Sequence, residues 1–349
     1  MTFYPLSHDN WDEQEKDALY NVIKSNKFTM GEEVLKFEKK IANFHNTKHA
    51  VMVNSGSSAN LLMIASLFEQ GKLKRGDEVI VPAVSWSTTY FPLHHYDLKL
   101  VFVDTERFGN IDPNKVKIAI TKKTKAVLAV NLLGFPANLV ELKKICNKNQ
   151  LLLLEDNCES FGAKIKNKHC GTWGLLGTLS FFYSHHLCTM EGGCVLTNDN
   201  MLADTLKILR AHGWIRDAKN KKDWGFTGND FKDSFLFVLP GYNLRPLEMS
   251  AAVGIVQLKK WKNQIRTRLS NAKLFTEVMK GKEVLTPEYD TNSSWFGFPV
   301  ICRSKKARLE LLKRCKKEGI QSRPIVAGNF TTQPVIKKLN HKISGELLN

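Results

Sequence analysis

The stretch from Ser180 to Gly193 carries residues well suited to proton transfer. It reads Ser-Phe-Phe-Tyr-Ser-His-His-Leu-Cys-Thr-Met-Glu-Gly-Gly, so that His185 and His186 are adjacent. An imidazole has a reference pKa of about 6.5 and exchanges a proton near neutral pH, but it cannot form a Schiff base as a lysine amine can. The sequence therefore predicts acid–base chemistry at His185.

Carboxylates at the end of an apolar segment form a second candidate site. The run Leu151–Leu154 predicts a buried strand, and Glu155 and Asp156 follow it directly, with Glu159 close behind. Burying two carboxylates is costly, and a cationic partner is the simplest reason for them. The alternative is that they cap the N-terminus of a helix.

Two further segments favour an anionic, ring-bearing ligand. Ser55, Gly56 and Ser57 lie between an apolar strand and a helical run, where backbone N–H groups and hydroxyls can surround a phosphate. Serines in this position are also ordinary helix caps. Trp86 follows the strand 78–82 and offers a flat apolar surface, although a core position is an equally good interpretation.

Strands alternate with helices along most of the chain, which predicts an α/β fold with a mostly parallel sheet. Apolar strands are predicted at 50–54, 78–82, 99–104, 126–131 and 151–154. An amphipathic helix is predicted over 9–26, capped by Asp9 and Asn10. We predict a large domain over 1–246, a connecting helix over 247–272 and a small α/β domain over 273–349, on which the N-terminal helix packs.

Composition narrows the possible classes. The 349 residues carry a net charge of +17, but the excess lysines are dispersed, which favours a solvated basic surface over nucleic-acid binding. We find no apolar run long enough to cross a bilayer and no signal-peptide pattern, and we expect a cytoplasmic protein without a membrane partner. The seven cysteines include no Cys-x-x-Cys pair, so reduced thiols are expected.

The motifs resemble those of the DegT/DnrJ/EryC1/StrS sugar aminotransferases, which are pyridoxal phosphate enzymes of fold type I, the aspartate aminotransferase-like fold. In that family a Ser-Phe-aromatic sequence precedes a lysine and then Glu-Gly-Gly, and here His185 stands at the lysine position. Histidine at this position resembles the branch that dehydrates nucleotide-linked keto-sugars. The segments 210–217, 240–249 and 319–330 extend the resemblance over nearly the whole chain.

The resemblance assigns roles residue by residue. It implies that His185 is the catalytic acid–base, that Asp156 pairs with the ring nitrogen of the cofactor and that Glu159 packs near the ring's 3-oxygen. The remaining cofactor ligands would be Gly56, Ser57 and Ser180 at the phosphate, Trp86 stacked on the ring, and Asn243 reaching the phosphate of the neighbouring subunit. An asparagine shared in this way implies a homodimer.

The same resemblance implies a reaction and substrate contacts. It implies that pyridoxamine phosphate supports 3-dehydration of a GDP-linked 4-keto-6-deoxymannose, with glutamate as amino donor and without an iron–sulfur cluster. The candidate substrate residues are Ser184, His212, Arg216, Arg245 and Arg323.

Two alternatives remain open: a nucleotide-sugar aminotransferase, which needs lysine at position 185, and a non-catalytic cofactor-binding homologue. Relatives continue for some tens of residues beyond the position of Asn349, and we expect a shortened C-terminal domain.

Overall fold

The structure is a computed structural model that describes residues 3–8, 10–229 and 231–347. Its helices are α1 (Glu13–Ser25), α2 (Glu32–His45), α3 (Gly56–Glu69), α4 (Ser87–His95), α5 (Pro113–Ala119), α6 (Leu139–Lys148), α7 (Asn200–Arg210), α8 (Glu248–Met279) and α9 (Lys305–Lys317). Its strands are β1 (His49–Val53), β2 (Glu78–Pro82), β3 (Lys99–Val103), β4 (Thr124–Val130), β5 (Leu152–Asp156), β6 (Lys164–Ile165), β7 (Lys168–His169), β8 (Leu176–Ser180), β9 (Gly193–Thr197), β10 (Val284–Leu285), β11 (Ile301–Cys302) and β12 (His341–Ile343).

An eight-stranded sheet in the order β1-β9-β8-β5-β4-β2-β3-β12 forms the centre of the molecule. From β8 to β12 in this order neighbouring strands are parallel, and only β9 runs antiparallel to its neighbours. Along β2, Val79 and Val81 face one apolar cluster and Ile80 faces another, because side chains alternate and both faces are covered. The predicted α/β fold with a mostly parallel sheet is confirmed.

The direction of the strands gathers the candidate site residues at one edge of the sheet. β1, β2, β5 and β8 point the same way, and their carboxyl ends lead into the segments that carry the predicted cofactor residues. Ligands of open α/β sheets bind at the carboxyl ends of the strands. At the end of β1, the hydroxyl of Ser55 accepts a hydrogen bond from the N–H of Ser58 and so begins α3.

The N-terminal helix begins later than the sequence pattern predicts. Its cap is Asp12, whose side chain accepts a hydrogen bond from a first-turn N–H while Glu15 bonds back to the N–H of Asp12. The predicted start and cap at residues 9 and 10 are therefore wrong for Asn10, which precedes the helix, and Asp9 lies outside the described residues. The helix packs on α8, where Glu15 accepts hydrogen bonds from Gln257 and Lys260.

The C-terminal part departs from the predicted domain division in two respects. β10 and β11 form their own two-stranded sheet, but β12 returns to the large sheet and pairs with β3. Lys342 anchors β12 through an ion pair with the buried Glu78, with N–O distances of 2.8 Å. Residues 341–343 thus do not belong to a small domain, and α8 ends at Met279, beyond the predicted residue 272. The boundary at residue 246 stays a prediction.

Among the residues that the structure describes, no helix combines the length and the apolar character needed to cross a membrane. All seven cysteines are free. The described residues contain no cluster of three or more histidine, cysteine or acidic side chains arranged to hold a metal ion.

Candidate active site

The predicted phosphate residues meet where α3 begins. Gly56 is buried against the end of β8, and a Cβ atom at this position would lie 2.5 Å from the Cβ of Ser180 and 2.8 Å from its Oγ. Only glycine lets the helix N-terminus approach Ser180 so closely. Ser57 is exposed, and its hydroxyl donates to Oγ1 of Thr88, 3.0 Å away. The hydroxyls and the free N–H groups of α3 together form a cradle suited to a phosphate.

Asp156 ends β5 as a carboxylate that is fixed by hydrogen bonds. Its Oδ2 accepts hydrogen bonds from Nδ2 of Asn60, at 2.9 Å, and from Oγ1 of Thr89, at 2.8 Å. Its Oδ1 accepts the N–H of Cys158, at 3.2 Å. Within the described residues no cation pairs with this buried side chain. A carboxylate held in this way suits a cationic ligand such as a protonated ring nitrogen.

The neighbouring Glu155 has a structural role instead. It is fully buried, and its carboxylate accepts the backbone N–H groups of Gly171, Trp173 and Gly174 at 2.6, 2.6 and 2.8 Å. Burial raises its pKa, while these hydrogen bonds act in the opposite direction. The expectation of a cationic partner for both carboxylates is therefore wrong for Glu155, because backbone donors satisfy it.

Residues 181–192, which join β8 to β9 and contain His185, form the catalytic loop. Glu159 lies near this loop, since the charge of Arg323 acts on both Glu159 and His185. Its Oε2 accepts the N–H of Leu133 at 2.9 Å, and Leu133 itself has a left-handed backbone with φ of 55°. Burial raises the pKa of Glu159 to about 7, an effect that the nearby Asp156 reinforces and that Arg323 opposes. Glu159 can thus hold or release a proton near neutral pH.

His185 sits in a turn whose backbone is fixed by its own hydrogen bond to the carbonyl of Phe182, 2.8 Å away. Its ring lies between Phe182 and Phe296, with centroid distances of 5.9 and 5.2 Å. The Nδ1 atom is buried and has no hydrogen-bond partner among the described residues. Burial, together with the charges of Arg323 and Arg268, lowers the pKa of His185 to about 4. The imidazole is therefore neutral at physiological pH, which is the form that can accept a proton.

His186 points away from His185 and faces the protein interior. Its Nε2 lies 3.1 Å from the carbonyl oxygen of Ser294, and its side chain is 1% exposed. Burial lowers its pKa well below the ordinary value. Of the two adjacent histidines, only His185 is placed for chemistry at the sheet edge.

Trp86 and Ser184 flank this region. Trp86 precedes α4 and is 54% exposed, so its ring is available as a flat surface and is not part of the core. The alternative interpretation, a core position for Trp86, is thereby excluded. Ser184 immediately precedes His185 and is half-buried.

Two of the predicted substrate residues, Arg323 and Arg216, have different surroundings. Arg323 is exposed, and its charge acts on both His185 and Glu159, which places it beside the catalytic loop. By contrast, Arg216 lies over the ring of Trp214, 4.3 Å from its centroid, and pairs with Asp217 at 3.2 Å.

Asn243 and Arg245 lie together at the surface. The Nε of Arg245 donates to Oδ1 of Asn243 at 3.0 Å, and Asn243 pairs with Ala211 beside the exposed His212. The carbonyl of Leu244 accepts the N–H of Asn54 at the end of β1, so this segment adjoins the phosphate cradle. Their roles toward substrate or a partner subunit stay predictions.

Several residues that complete the site were not found from the sequence. They are Asn60, Thr88, Thr89, Arg268 and Phe296. The two threonines lie two and three residues after Trp86, and their position at a helix start after a strand was a usable signal. The others lie far along the chain from their partners, and their residue types carry no motif.

Sequence comparison decides the family. Residues 9–349 match the DegT/DnrJ/EryC1/StrS aminotransferase family. The chain belongs to this family. Over 358 aligned residues it is 50% identical to the GDP-4-keto-6-deoxy-D-mannose 3-dehydratase of Yersinia pseudotuberculosis, covering 99% of this chain and 91% of that protein.

Solved structures of DegT/DnrJ/EryC1/StrS proteins agree with the fold. The GDP-4-keto-6-deoxy-D-mannose-3-dehydratase of E. coli with bound hydrated PLP superposes with a TM-score of 0.95 at 47% identity, over 99% of this chain and 92% of that one. A structure of GDP-4-keto-6-deoxymannose-3-dehydratase with a trapped PLP-glutamate geminal diamine matches with the same score, identity and coverage. The fold-type prediction and the family resemblance are thus confirmed.

The side chains of this chain fit the cofactor of the family. Asp156 is a buried carboxylate with no cation paired to it in the described part of the chain, and the space beside Gly56 and Ser180 is kept free of any side chain at position 56. Position 185 offers an imidazole where a lysine would bind the cofactor covalently. The residues therefore suit pyridoxal or pyridoxamine phosphate held without a covalent bond to the chain.

Proposed function

We propose that the protein is a pyridoxamine phosphate-dependent dehydratase that removes the 3-hydroxyl of GDP-4-keto-6-deoxymannose. The observation that carries this proposal is His185, a neutral imidazole at the position of the Schiff-base lysine, in a site whose other cofactor residues are all present. The 50% identity to a dehydratase with this substrate supports the choice of sugar and nucleotide.

The residues have distinct tasks in this reaction. The bound cofactor supplies an amine that condenses with the 4-keto group and a ring that holds an electron pair. Asp156 would keep the ring nitrogen protonated, while Gly56, Ser57 and Ser180 would hold the phosphate.

His185 provides the proton transfers. Its neutral imidazole would accept the proton that the bound amine cofactor releases from carbon and then, as imidazolium, would donate it to the departing 3-hydroxyl, which leaves as water. Nδ1 is enclosed by the protein, which leaves Nε2 as the nitrogen that exchanges protons. Because burial and the charges of Arg323 and Arg268 lower the pKa to about 4, the imidazolium is a stronger acid than an exposed imidazolium and releases its proton more readily.

We further propose that glutamate restores the amine form of the cofactor, as the PLP-glutamate complex of the related dehydratase suggests. The enzyme would work as a homodimer in which Asn243 serves the partner's site. The free cysteines and the need for glutamate are in keeping with the cytoplasm. A 3-deoxy sugar of this kind suits the biosynthesis of lipopolysaccharide O-antigen.

The test is a reaction of the purified protein with PLP, glutamate and GDP-4-keto-6-deoxymannose, followed by mass spectrometry. We expect a product that lacks one oxygen atom, with one turnover at most when glutamate is withheld after loading the amine form. An amino sugar as product would instead identify an aminotransferase. Cofactor binding without any turnover would identify a non-catalytic homologue.

A further inference from the structure

A buried segment of the C-terminal part, Ser293–Phe296, lies against the catalytic loop. Ser293, Ser294 and Trp295 are at most 3% exposed. The N–H of Ser294 donates to the carbonyl of Gly134 at 2.8 Å, and that of Phe296 donates to the carbonyl of Leu133 at 3.0 Å. A Cβ at Gly134 would lie 2.5 Å from the backbone nitrogens of Trp295 and Phe296, so this docking requires glycine there.

The same segment contacts both histidines. The carbonyl of Ser294 lies 3.1 Å from Nε2 of His186, so Nε2 carries the hydrogen. The ring of Phe296 lies 5.2 Å from the His185 ring and 5.5 Å from the His186 ring, between centroids. The segment therefore joins the buried histidine to the reactive one.

Arg268 of α8 holds the segment from the other side. It donates from Nη1 to the carbonyl of Trp295 at 3.0 Å, and it is half-buried. Its charge is close enough to His185 and His186 to disfavour a second charge on either ring. Burying a cation beside two neutral imidazoles costs free energy. The hydrogen bond from Arg268 to the carbonyl of Trp295 offsets part of that cost.

We propose that His186 and Arg268 are positioning residues: they fasten Ser293–Phe296 over the catalytic loop, and Phe296 thereby fixes the orientation of the His185 imidazole for proton transfer. The proposal rests on the proposed dehydratase function. Misplacing a reacting group by about 1 Å can cost about 100-fold in rate. A rigid ring beside His185 prevents such a displacement.

Core packing alone explains the presence of a histidine at position 186 less well than a positioning role does. An apolar side chain would fill the same space without burying an imidazole whose Nδ1 finds no partner among the described residues. The bond to Ser294 links residues 108 positions apart, whereas the local turn already has its own backbone hydrogen bonds. The donor at His186 therefore serves the docking of the distant segment.

Two matched pairs of variants test the proposal. His186→Gln keeps a donor near the position of Nε2, whereas His186→Phe keeps the ring and removes the donor. Arg268→Lys keeps the charge, whereas Arg268→Met removes both charge and hydrogen bond. We expect kcat to fall about 10- to 100-fold in the Phe and Met variants while KM and cofactor affinity change less than about 3-fold. The Gln variant should recover most of the lost rate.

A second readout does not depend on turnover. In the cofactor-loaded protein with ¹⁵N-labelled histidine, the His185 ring should give one narrow set of signals, which should broaden or average in His186→Phe. His95→Gln, at the exposed C-terminal end of α4, is the control and should leave these signals unchanged. Where His186→Phe does not fold, Arg268→Met carries the same test.

The outcomes separate the two proposals. Unchanged His185 signals and an unchanged kcat in the Phe and Met variants would overturn the positioning role. A loss of stability alone, with normal kcat in the folded fraction, would also overturn it. If the wild type shows no dehydration but the His185 signals respond as expected, the proposed function fails and the positioning role stands.

Discussion

At the scale of single residues, the identity of position 185 has the largest chemical consequence. His185→Lys places an amine where the aldehyde of PLP can react with it. We expect covalent pyridoxyl-lysine at position 185 after borohydride reduction and a loss of dehydration of at least about 100-fold, because the general acid–base is gone. Peptide mass spectrometry measures the covalent modification, and the reaction with PLP, glutamate and GDP-4-keto-6-deoxymannose, called the sugar assay below, measures the dehydration.

The wild type is the control for this variant. Its active-site peptide should stay unmodified after the same borohydride treatment, since no lysine lies at position 185. The stretch Ser180–Gly193 contains no lysine, so stoichiometric pyridoxylation of any lysine in the wild type would contradict the assignment of His185. Undiminished dehydration by His185→Lys would do so as well.

A second prediction for single residues concerns pH and folding. Burial lowers the pKa of His45 to about 3 and that of His185 to about 4. An unfolded histidine has a pKa of about 6.5. At pH values between the folded pKa and about 6.5, the unfolded chain therefore binds more protons than the folded protein does. The free energy of unfolding thus falls as the pH drops below about 6.5. Glu159 opposes this trend: its raised pKa stabilises the folded state at low pH, and this contribution is lost as the pH rises through about 7.

The pKa is lowered for four histidines, His45, His169, His185 and His186, and raised for Glu159 and for other carboxyls such as Glu155. We expect the histidines to outweigh the carboxyls, so that acidification from pH 7.5 to 5 lowers the stability measured by urea unfolding. His45 is buried beside the rings of Phe44 and Phe161, and His45→Phe should make the pH dependence shallower. His95→Phe, at an exposed position, should leave it unchanged. A wild type whose stability rises on acidification would show that these histidines are not buried in the neutral form.

At the scale of elements, the approach of α3 to β8 controls phosphate binding. Gly56→Ala adds a methyl group 2.5 Å from the Cβ of Ser180, so one of the two elements must move. Such overpacking costs about 1–3 kcal/mol, and we expect it to weaken cofactor binding by about 10-fold or more. Fluorescence titration with pyridoxamine phosphate measures the affinity.

Gly297→Ala is the matched control for this change. A Cβ at Gly297 meets only the Cδ2 of Leu133, at 3.8 Å, which is an ordinary contact. Its affinity for the cofactor should match that of the wild type. Equal affinities for all three proteins would mean that the phosphate does not lie at the start of α3.

The elements also show which parts of the fold and of the site could be predicted from the sequence. Asp156 could be predicted because it follows an apolar run, and His185 because it lies within the motif from Ser180 to Gly193. The alternation of strands and helices predicted the sheet. Arg268 and Phe296 were missed, since they reach His185 only through the folding of α8 and of the segment after it. Hydrophobic periodicity does not reveal which face of a long helix meets a loop far away in the sequence.

The scale of the whole molecule brings in the partner subunit. If Asn243 serves the neighbouring site, two inactive variants should complement each other. We expect a mixture of His185→Asn and Asn243→Ala to recover about a quarter of wild-type activity, because about half of the dimers are mixed and each has one intact site of two. The sugar assay after subunit exchange measures this recovery.

A mixture of wild type with His185→Asn is the control for subunit exchange. If exchange is verified and the two variants recover no activity, the phosphate site is built within one chain. In that case the contact between Asn243 and Arg245 is a feature of the surface alone. Full activity of Asn243→Ala by itself would lead to the same conclusion.

The return of β12 to the large sheet also has a consequence for synthesis on the ribosome. Its anchor, the ion pair between Lys342 and Glu78, joins residues 264 positions apart. The outer edge of β3 therefore stays open for pairing until nearly all of the sheet has been translated, and an open edge strand is a template for aggregation. Nascent chains that stall before residue 341 leave the ribosome with this edge uncovered.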